Sequence, residues 1–569
     1  AHAHVFAHAH VPHHSTVTLV SVRAQAEPVT YYTAADAPLA DLDPQQAADE
    51  VAVNVVENLF LGLTDFTPGG VGAAGPELAT AWSVSDDGLV WTFSLRDDVP
   101  WVRYDAASGE IEVVRLVTAA DAAYAFQRAC DPRLGSFYSP LAAQLIAGCG
   151  VLFATDQADV TRDAYDMVGV RALDDLTLEV TLQFPAPYFL SITALPIFRP
   201  VPADIVAADS ASEWGSAETL VSNGPFVITE WTREVRQIYL RNPYLPDDVR
   251  GPGNVERVIV AEVRDMGTRF ALYRLNQLDD GPLPPADIER VVEDPLYAPQ
   301  VVQTSDLSVN YFGFAHDKPP FDDVHARRAF SAALDRGAFV ADVRQGRGVP
   351  MIHLTPPGMF GAPPINEVGV GYDPEYAREQ LALAGYPDCA GFPVIDVAVF
   401  SMSGEWVEFL AADVARDLGC DEEAINLIER DITSLLVSID ATTPTGDRPH
   451  IWAGVWLPDY PDAQNFVGDL LACTAANPFL RPCDEVDDLI TQAAAERDPE
   501  ARIELYYRIE DLFFGPEGLQ PIIPVNLNLD YRLYQPWLTG PFESDGIFGG
   551  LHWDWVTVDQ AAQQAGRGE

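Results

Sequence analysis

Lysine is almost absent from this chain, since Lys318 is the only lysine among 569 residues. Pro319 and Pro320 follow it, so the sequence lacks the Lys-Ser or Lys-Thr that ends a phosphate-binding loop. A Schiff base could form only at Lys318, which disfavours pyridoxal chemistry. No apolar run approaches the roughly 18 residues that a membrane-spanning helix requires. The sequence therefore argues against a P-loop ATPase and a pyridoxal enzyme, and it predicts a soluble folded body.

Positive charge is also scarce. The chain has 34 basic and 85 acidic residues, for a formal net charge of −51. Proteins that bind nucleic acid through release of counterions need a basic face, and no cluster of basic residues occurs here. The composition therefore excludes nucleic acid as a partner.

The six cysteines lack the spacing of a zinc site. They form no C-x-x-C motif and have no neighbouring histidine, although structural zinc sites need such closely spaced ligands. Pairing neighbours along the chain would close three short loops, which suits disulfides in an oxidising compartment. The predicted pairs are Cys130 with Cys149, Cys389 with Cys420, and Cys473 with Cys483. About 15 connectivities are formally open to six cysteines.

The first 27 residues differ from the rest. Six of the 11 histidines lie in residues 1–14, where neither a helical nor a strand period is present. We interpret residues 1–27 as a disordered leader or tag, with a metal-collecting arm as the alternative. The fold is expected to begin at residue 28.

The rest of the chain mixes strand and helix signals. Trp91, Phe93 and Leu95 alternate with polar residues after an Asp-Gly turn, which is typical of a hairpin. Helices are predicted to begin after Thr118, with Asp121 completing a capping box, and at the Asp-Pro pairs 373–374 and 498–499. These patterns predict a protein of several lobes that contains both α-helices and β-strands, and the fold class α/β follows from the resemblance described below.

Hydrolase signatures are missing. The sequence contains neither G-x-S-x-G nor H-E-x-x-H, and the histidines beyond the leader occur singly, so no metal site or cofactor is assigned. With 85 acidic residues, a two-carboxylate glycosidase stays open as an alternative, because counting selects no particular pair.

One segment has a distinctive pattern. Residues 456–466 read WLPDYPDAQNF and place Asp459 between aromatic residues and two prolines, directly after an apolar run that predicts a buried strand. A partly desolvated carboxylate there would bind an ammonium group strongly. The alternative is a turn in which Asp459 or Asp462 caps its own backbone.

The order of many short motifs resembles the extracytoplasmic solute-binding proteins of peptide ABC importers (family 5), most closely those that bind oligopeptides. The similarity covers nearly all of residues 28–545. The matching stretches are LDP at 42–44, NLFLGL at 58–63, PELA at 76–79, SDDGLVWTFSLR at 85–96, VTAAD at 117–121, SNGPF at 222–226, PPFDDV at 319–324, LDR at 334–336, YDP at 372–374 and QPW at 535–537.

This resemblance implies a two-lobe fold of the periplasmic-binding-protein type (type II), with mixed sheets, a hinge and an extra inserted α+β domain. The expected boundaries assign residues 28–62, 187–307 and 529–565 to lobe I. Residues 63–186 would form the inserted domain, and residues 308–528 would form lobe II.

The resemblance also implies ligand contacts. Asp459 would pair with the α-ammonium of a peptide, and the backbone around Trp456 and Leu457 would run beside the peptide as an added strand. Tyr138 would lie near the cleft. Asn526 and Asn528 stand where the family's oligopeptide-binding members carry tyrosines. Arg448 is the candidate partner of the peptide carboxylate.

The implied function is that of a receptor rather than an enzyme. It would be a monomer, without cofactor, that encloses an oligopeptide between its lobes and delivers it to the membrane permease of an ABC transporter. An extracytoplasmic location is expected, with a lipid anchor allowed in the precursor. Alternatives are another solute on the same fold (an oligosaccharide, a dipeptide or a nickel complex) or an acidic secreted hydrolase.

Overall fold

The computed structural model describes residues 27–68, 74–208, 214–401, 403–474, 477–542 and 551–568. Of the leader predicted for residues 1–27, all but Glu27 lies outside these ranges. Within them, no helix combines the length and the apolar character needed to cross a membrane.

Lobe I is built on two sheets. In the larger one, the first strand of the fold runs parallel to its neighbour and the remaining pairs are antiparallel. In spatial order its strands are Thr30–Ala35, Arg257–Glu262, Arg236–Arg241 and Phe226–Thr232. The smaller sheet has the order Asp280–Pro282, Asp530–Tyr534 and Val301–Thr304.

Lobe II contains a mixed six-stranded sheet. Its strand Val309–Phe314 is buried along its whole length. Because successive side chains point to opposite faces, Val309 and Tyr311 join one hydrophobic core while Phe312 and Phe314 join another. In spatial order the strands are Gly348–Pro350, Ile522–Asn528, Val309–Phe314, Ile451–Trp456, Ile395–Phe400 and Ile425–Arg430.

A third unit interrupts lobe I. Its antiparallel four-stranded sheet has the order Ala79–Val84, Val90–Leu95, Thr177–Thr181 and Val170–Asp174, and it has its own hydrophobic core. Three two-stranded pairs complete the strands of the described residues: Thr64–Asp65 with Gly75–Pro76, Pro100–Asp105 with Glu110–Leu116, and Leu538–Thr539 with Thr557–Val558.

Helices cover the sheets. Those between the strands of lobe I are Glu50–Leu59, Phe189–Ile192, Ala203–Ala208, Met266–Arg274, Ile288–Glu293 and Gln560–Arg567. The third unit has Ala119–Ala129, Ser139–Leu145, Cys149–Phe153 and Arg162–Tyr165. Lobe II has Val324–Ala333, Arg336–Asp342, Pro374–Leu383, Gly404–Leu418, Ile432–Ile439, Glu485–Ala495, Pro499–Phe514 and a π-helix at Gln464–Leu470.

The lobes are joined by two adjacent crossings of the chain. Residues 305–308 lead from the small sheet of lobe I into lobe II, and Leu529 leads back. Asn528 ties the crossings together, because its backbone N–H donates to the Ser308 carbonyl (2.9 Å) and its carbonyl accepts from Ser305 Oγ (2.8 Å). This pair of crossings forms the hinge.

The disulfide prediction is confirmed. The bonds join Cys130 to Cys149, Cys389 to Cys420, and Cys473 to Cys483, with Cα–Cα distances of 5.0–5.2 Å. The mixed sheets and two lobes agree with the predicted fold class. The domain boundaries given from the sequence stay predictions.

The capping box predicted at Thr118 is present, and its Asp121 does more than cap. Asp121 is 1% exposed, accepts from Trp101 Nε1 (3.0 Å) and forms a two-point pair with Arg115 (2.7 Å for each contact). It also accepts from the backbone N–H of Ala203 (3.0 Å). One buried carboxylate thus connects the helix of the inserted unit to lobe I.

We expect Asp121→Ala to lower the free energy of unfolding by about 1–3 kcal/mol, because it leaves the buried indole N–H of Trp101 without an acceptor, while Arg115 keeps its pair with Asp204. Urea unfolding followed by circular dichroism measures the change. Asp247→Ala is the matched control, since the Asp247 side chain is 99% exposed and its loss should cost about 0–1 kcal/mol. Equal losses in the two variants would contradict the role of Asp121.

Candidate functional site

A cavity of about 300 Å³ opens between the lobes. Lobe I contributes Tyr31 and Trp553, the inserted unit contributes Tyr138, and lobe II contributes Leu457. All three parts of the molecule therefore meet at one space. Of the predicted site residues, Tyr138 and Leu457 line this cavity directly.

Asp459 lies just past the end of the strand Ile451–Trp456. Its backbone N–H donates to Asn465 Oδ1 (3.0 Å), and Asn465 Nδ2 donates to Asp459 Oδ2 (3.3 Å). Trp456 Nε1 donates to the same Asn465 oxygen (3.1 Å). The buried Asn465 therefore holds the tryptophan and the carboxylate in one rigid turn. Asn465 lies within the segment 456–466, but no local sequence signal predicts this role for it.

The two interpretations of this segment, a ligand-binding carboxylate and a backbone cap, apply to different residues. Asp462 caps the following helical turn by accepting from the backbone N–H of Gln464 (2.9 Å), and it pairs with Arg502 (2.7 Å). Asp459 has no arginine partner within the described residues. The capping interpretation therefore applies to Asp462 and leaves Asp459 available to a ligand.

The electrostatics of Asp459 reflect its position. Burial raises the pKa of the Asp459 carboxyl to about 6, although the hydrogen bond from Asn465 acts in the opposite direction. Burial raises the pKa of the Tyr138 hydroxyl, and the negative charge of Asp459 raises it further. Tyr138 of the inserted unit therefore lies close enough to Asp459 of lobe II to sense its charge.

The strand beside this turn has an incomplete edge. Ile451–Trp456 pairs with Val309–Phe314 along its full length. On its other side the parallel pairing with Ile395–Phe400 involves only Ile451 and Trp452. Within the described residues, the backbone of 453–456 therefore has one side unoccupied by a strand. An extended chain can add to such an edge.

Asn526 and Asn528 belong to the hinge side of the site. Asn526 is fully buried, and Asn310 Nδ2 donates to the side-chain oxygens of Asn526 (3.2 Å) and Asn528 (2.6 Å). Asn528 Nδ2 donates to Ser308 Oγ (2.8 Å). Asn526 and Asn528 thus bind one another and the crossings of the chain.

Arg448 is not among the residues that line the cavity. Its side chain is fully buried and pairs with Asp317 (3.3 Å), and its guanidinium also donates to the carbonyls of Ile439 and Pro478. Its polar contacts are internal to lobe II. The Arg448 guanidinium therefore has internal partners and does not belong to the lining of the cavity.

The arginines that do line the cavity are Arg269 and Arg532, and sequence reasoning missed both. Arg269 pairs with Asp36 (3.3 Å), and Arg532 pairs with Asp280. No motif distinguishes them, because each gains its place from tertiary contacts. Both arginines of the lining belong to lobe I, and each is paired with a carboxylate of the same lobe.

Acidic groups outnumber these arginines. Five carboxylates line the cavity, from Asp36, Asp49, Glu50, Asp280 and Asp306. Asp280 is 2% exposed, and its Oδ1 has no hydrogen-bond partner in the described part of the chain. The walls between the charges are apolar. The cavity therefore suits a ligand with apolar surface and net positive charge.

Further contacts connect lobe II to the other parts. Tyr188 and Tyr460 stack with ring centroids 5.0 Å apart and planes within 5°. Tyr460 donates to Asp469 Oδ2 (2.7 Å), and Arg497 donates to the carbonyl of Asp86 (2.8 Å). Tyr460, the residue after Asp459, therefore packs against Tyr188, which lies outside lobe II.

Comparison with known proteins agrees with this geometry. Residues 73–478 match the family model described as bacterial extracellular solute-binding proteins, family 5 middle. The chain is 27% identical over 514 residues to the probable deoxycholate-binding periplasmic protein YgiS of Escherichia coli, with 88% of each chain covered. It is 28% identical over 512 residues to the periplasmic oligopeptide-binding protein OppA of Salmonella typhimurium, with 88% of this chain and 87% of OppA covered.

A solved structure with the same fold is the unliganded open form of the periplasmic murein tripeptide-binding protein MppA. The TM-score is 0.73 at 24% identity, over 94% of this chain and 96% of MppA. At that identity the likeness establishes the fold alone, and it confirms the predicted two-lobe α/β class. Together with the match over residues 73–478, it leads to one conclusion: the chain belongs to family 5 of the bacterial extracellular solute-binding proteins.

Proposed function

We propose that this protein is the extracytoplasmic receptor of an ABC importer and that it encloses an oligopeptide between its two lobes for delivery to the membrane permease. The observation that carries the proposal is the pairing of two features at one turn. Asp459 offers a partly desolvated carboxylate without an arginine partner in the described residues, and the neighbouring backbone of 453–456 offers an unoccupied strand edge.

The two features bind different parts of the peptide. The carboxylate of Asp459 holds the α-ammonium of the peptide through charged hydrogen bonds. The strand edge holds the peptide backbone whatever its side chains are. Side chains then occupy the cavity that Tyr138 and Leu457 border. Backbone recognition with a charged anchor suits a receptor that accepts peptides of varied sequence.

Closure follows from contacts on both sides of the cleft. A ligand that touches lobe II at Asp459 and lobe I at the cavity wall favours the conformation in which both contacts exist. The crossings tied by Asn528 and Ser308 supply the hinge for such a movement. No step in this scheme makes or breaks a covalent bond, so the protein acts as a receptor and releases its ligand unchanged.

Asp459→Asn should weaken the binding of peptides with a free amino terminus by about 2–4 kcal/mol, because the variant removes one partner of a desolvated charge pair. Isothermal titration calorimetry measures the affinity. Asp488→Asn is the control and should bind as the wild type does, because Asp488 is exposed and does not line the cavity. An N-acetylated peptide should not distinguish Asp459→Asn from the wild type. Equal affinity of both proteins for the free peptide would overturn the role of Asp459.

Peptide affinity should depend on pH through Asp459. The free protein has its Asp459 pKa raised to about 6 by burial, and a bound ammonium lowers that pKa because it favours the ionised form. Binding therefore requires a deprotonated carboxylate, so affinity is nearly constant above pH 7 and falls as the pH drops below 6, by up to about tenfold per unit. Titrations from about pH 5 to 7 keep the peptide amino group protonated. Asp459→Asn should lose this dependence, and its persistence in the variant would contradict the assignment.

The acidic cavity predicts a preference for cationic side chains. A peptide with Lys at an inner position should bind about tenfold or more tightly than the same peptide with Glu, and the difference should shrink at high salt because salt screens exposed charges. Glu50→Gln should reduce the preference, since Glu50 is an exposed group of the lining, while Asp488→Asn should retain it. Equal affinity for the Lys and Glu peptides would contradict this specificity without affecting the role of Asp459. An anion such as deoxycholate would meet charge of its own sign here.

A further inference from the structure

A second cluster of ionisable groups lies at the junction of lobe I and the inserted unit. Glu57 is near the end of the helix Glu50–Leu59, Asp65 lies where the chain enters the inserted unit, and His552 belongs to the returning C-terminal segment. One ligand atom from each side chain lies within 4.8 Å of the other two. Three segments far apart in sequence thus converge on one point.

The charges at this point do not balance. Arg199 is fully buried and contacts Glu57 Oε2 (2.5 Å) and Asp65 Oδ2 (3.3 Å), with Glu77 at 3.9 Å. Three carboxylates therefore share a single guanidinium. Burying an excess of two negative charges is unfavourable unless protons or a cation compensate for them.

The environment of His552 favours a bound cation, rather than protonation of the carboxylates alone, as the compensating charge. Its side chain is 8% exposed, and its Nε2 has no hydrogen-bond partner within the described residues. Among those residues no ion pair joins His552 to either carboxylate, although the groups lie within 4.8 Å. A buried ring nitrogen without a partner costs free energy, and a metal ion between it and the carboxylates would satisfy it.

We propose that Glu57, Asp65 and His552 form a structural binding site for a divalent transition-metal ion, with Zn²⁺ as the representative. Imidazole nitrogen together with carboxylate oxygen is a donor set that Zn²⁺ accepts, at bond lengths of about 2.0–2.2 Å. In the tetrahedral geometry of such sites, ligand atoms around the ion lie roughly 3.3–3.6 Å apart, so the three side chains would move inward by up to about 1.5 Å to bind it. An imidazole ligand argues against Ca²⁺, which prefers oxygen ligands alone.

Arg199 leaves room for the ion. It contacts one oxygen of Glu57 and one oxygen of Asp65, and each carboxylate has about four lone-pair sites. One divalent cation added to three carboxylates and one guanidinium makes the cluster neutral. The charge that Arg199 leaves uncompensated is the charge that a divalent ion supplies.

The ion would attach the C-terminal segment to the wall of the peptide cavity. Leu551 and Trp553, on either side of His552, both line that cavity. Asn58 already connects this segment to its helix, because the Trp553 backbone N–H donates to Asn58 Oδ1 (2.9 Å) and Asn58 Nδ2 donates to the Leu551 carbonyl (3.1 Å). The metal site is independent of the ligand that the cleft carries.

The test compares Zn²⁺ binding by the full chain and by His552→Gln, with His325→Gln as the matched control. His325 lies in lobe II, where its ring nitrogen contacts Gln380. All three proteins keep the His-rich residues 1–14, so Zn²⁺ bound there cancels in the difference. After equilibrium dialysis, the wild type and His325→Gln should each hold about one Zn²⁺ more per chain than His552→Gln. Zn²⁺ should also raise the Tm of the wild type by more than that of His552→Gln. Equal Zn²⁺ content in wild type and His552→Gln overturns the proposal.

A second measurement needs no variant and guards against misfolding of His552→Gln. Crystals of the wild type grown with Zn²⁺ should show an anomalous scattering peak at the zinc edge about 2.0–2.1 Å from His552 Nε2. A data set that shows no peak between His552, Glu57 and Asp65 also overturns the proposal, whatever the result of peptide-binding experiments.

Discussion

The pairing of buried carboxylates with arginine is the constraint on which this structure depends. With 85 acidic and 34 basic residues, the chain has few cations, and an isolated buried carboxylate is strongly destabilising. Several arginines therefore pair with buried carboxylates, as in Arg115 with Asp121, Arg502 with Asp462 and Arg567 with Asp279. The pairs of Arg502 and Arg567 join elements that are distant in sequence, and Asp121 extends its pair with Arg115 to lobe I through the backbone N–H of Ala203. Carboxylates paired with arginine in this way thus contribute to the contacts that hold the units together.

Departures from this pairing mark the sites. Asp459 is desolvated with only the amide of Asn465 to support it, and Glu57, Asp65 and Glu77 share one arginine. In our two proposals, a peptide ammonium supplies the missing charge at the first site and a divalent ion supplies it at the second. The same physical argument therefore leads to both proposals, although they concern different residues and different ligands.

Local sequence signals were sufficient wherever the interaction is short in range. The capping box at Thr118 and the helix starts at the Asp-Pro pairs depend on residues within one turn, and the three disulfides join neighbouring cysteines. The segment around Asp459 could be recognised because prolines and aromatics frame the carboxylate within a few residues. Arg448 shows the limit of such reasoning. Its proximity in sequence suggested a carboxylate partner, but its guanidinium turns to Asp317 and to carbonyl groups of lobe II.

The sequence by itself determined the fold family, the oxidised cysteines and the turn that carries Asp459, because each of these depends on short motifs or on contacts between residues that are close along the chain. Only the tertiary structure decided which charges share a space. Arg269 and Arg532 reach the cavity from lobe I, Asn526 and Asn528 become part of the hinge side, and His552 meets Glu57 across almost the whole chain. Burial and Coulomb energy depend on distances in space, and those distances exist only after the two lobes and the inserted unit have packed together.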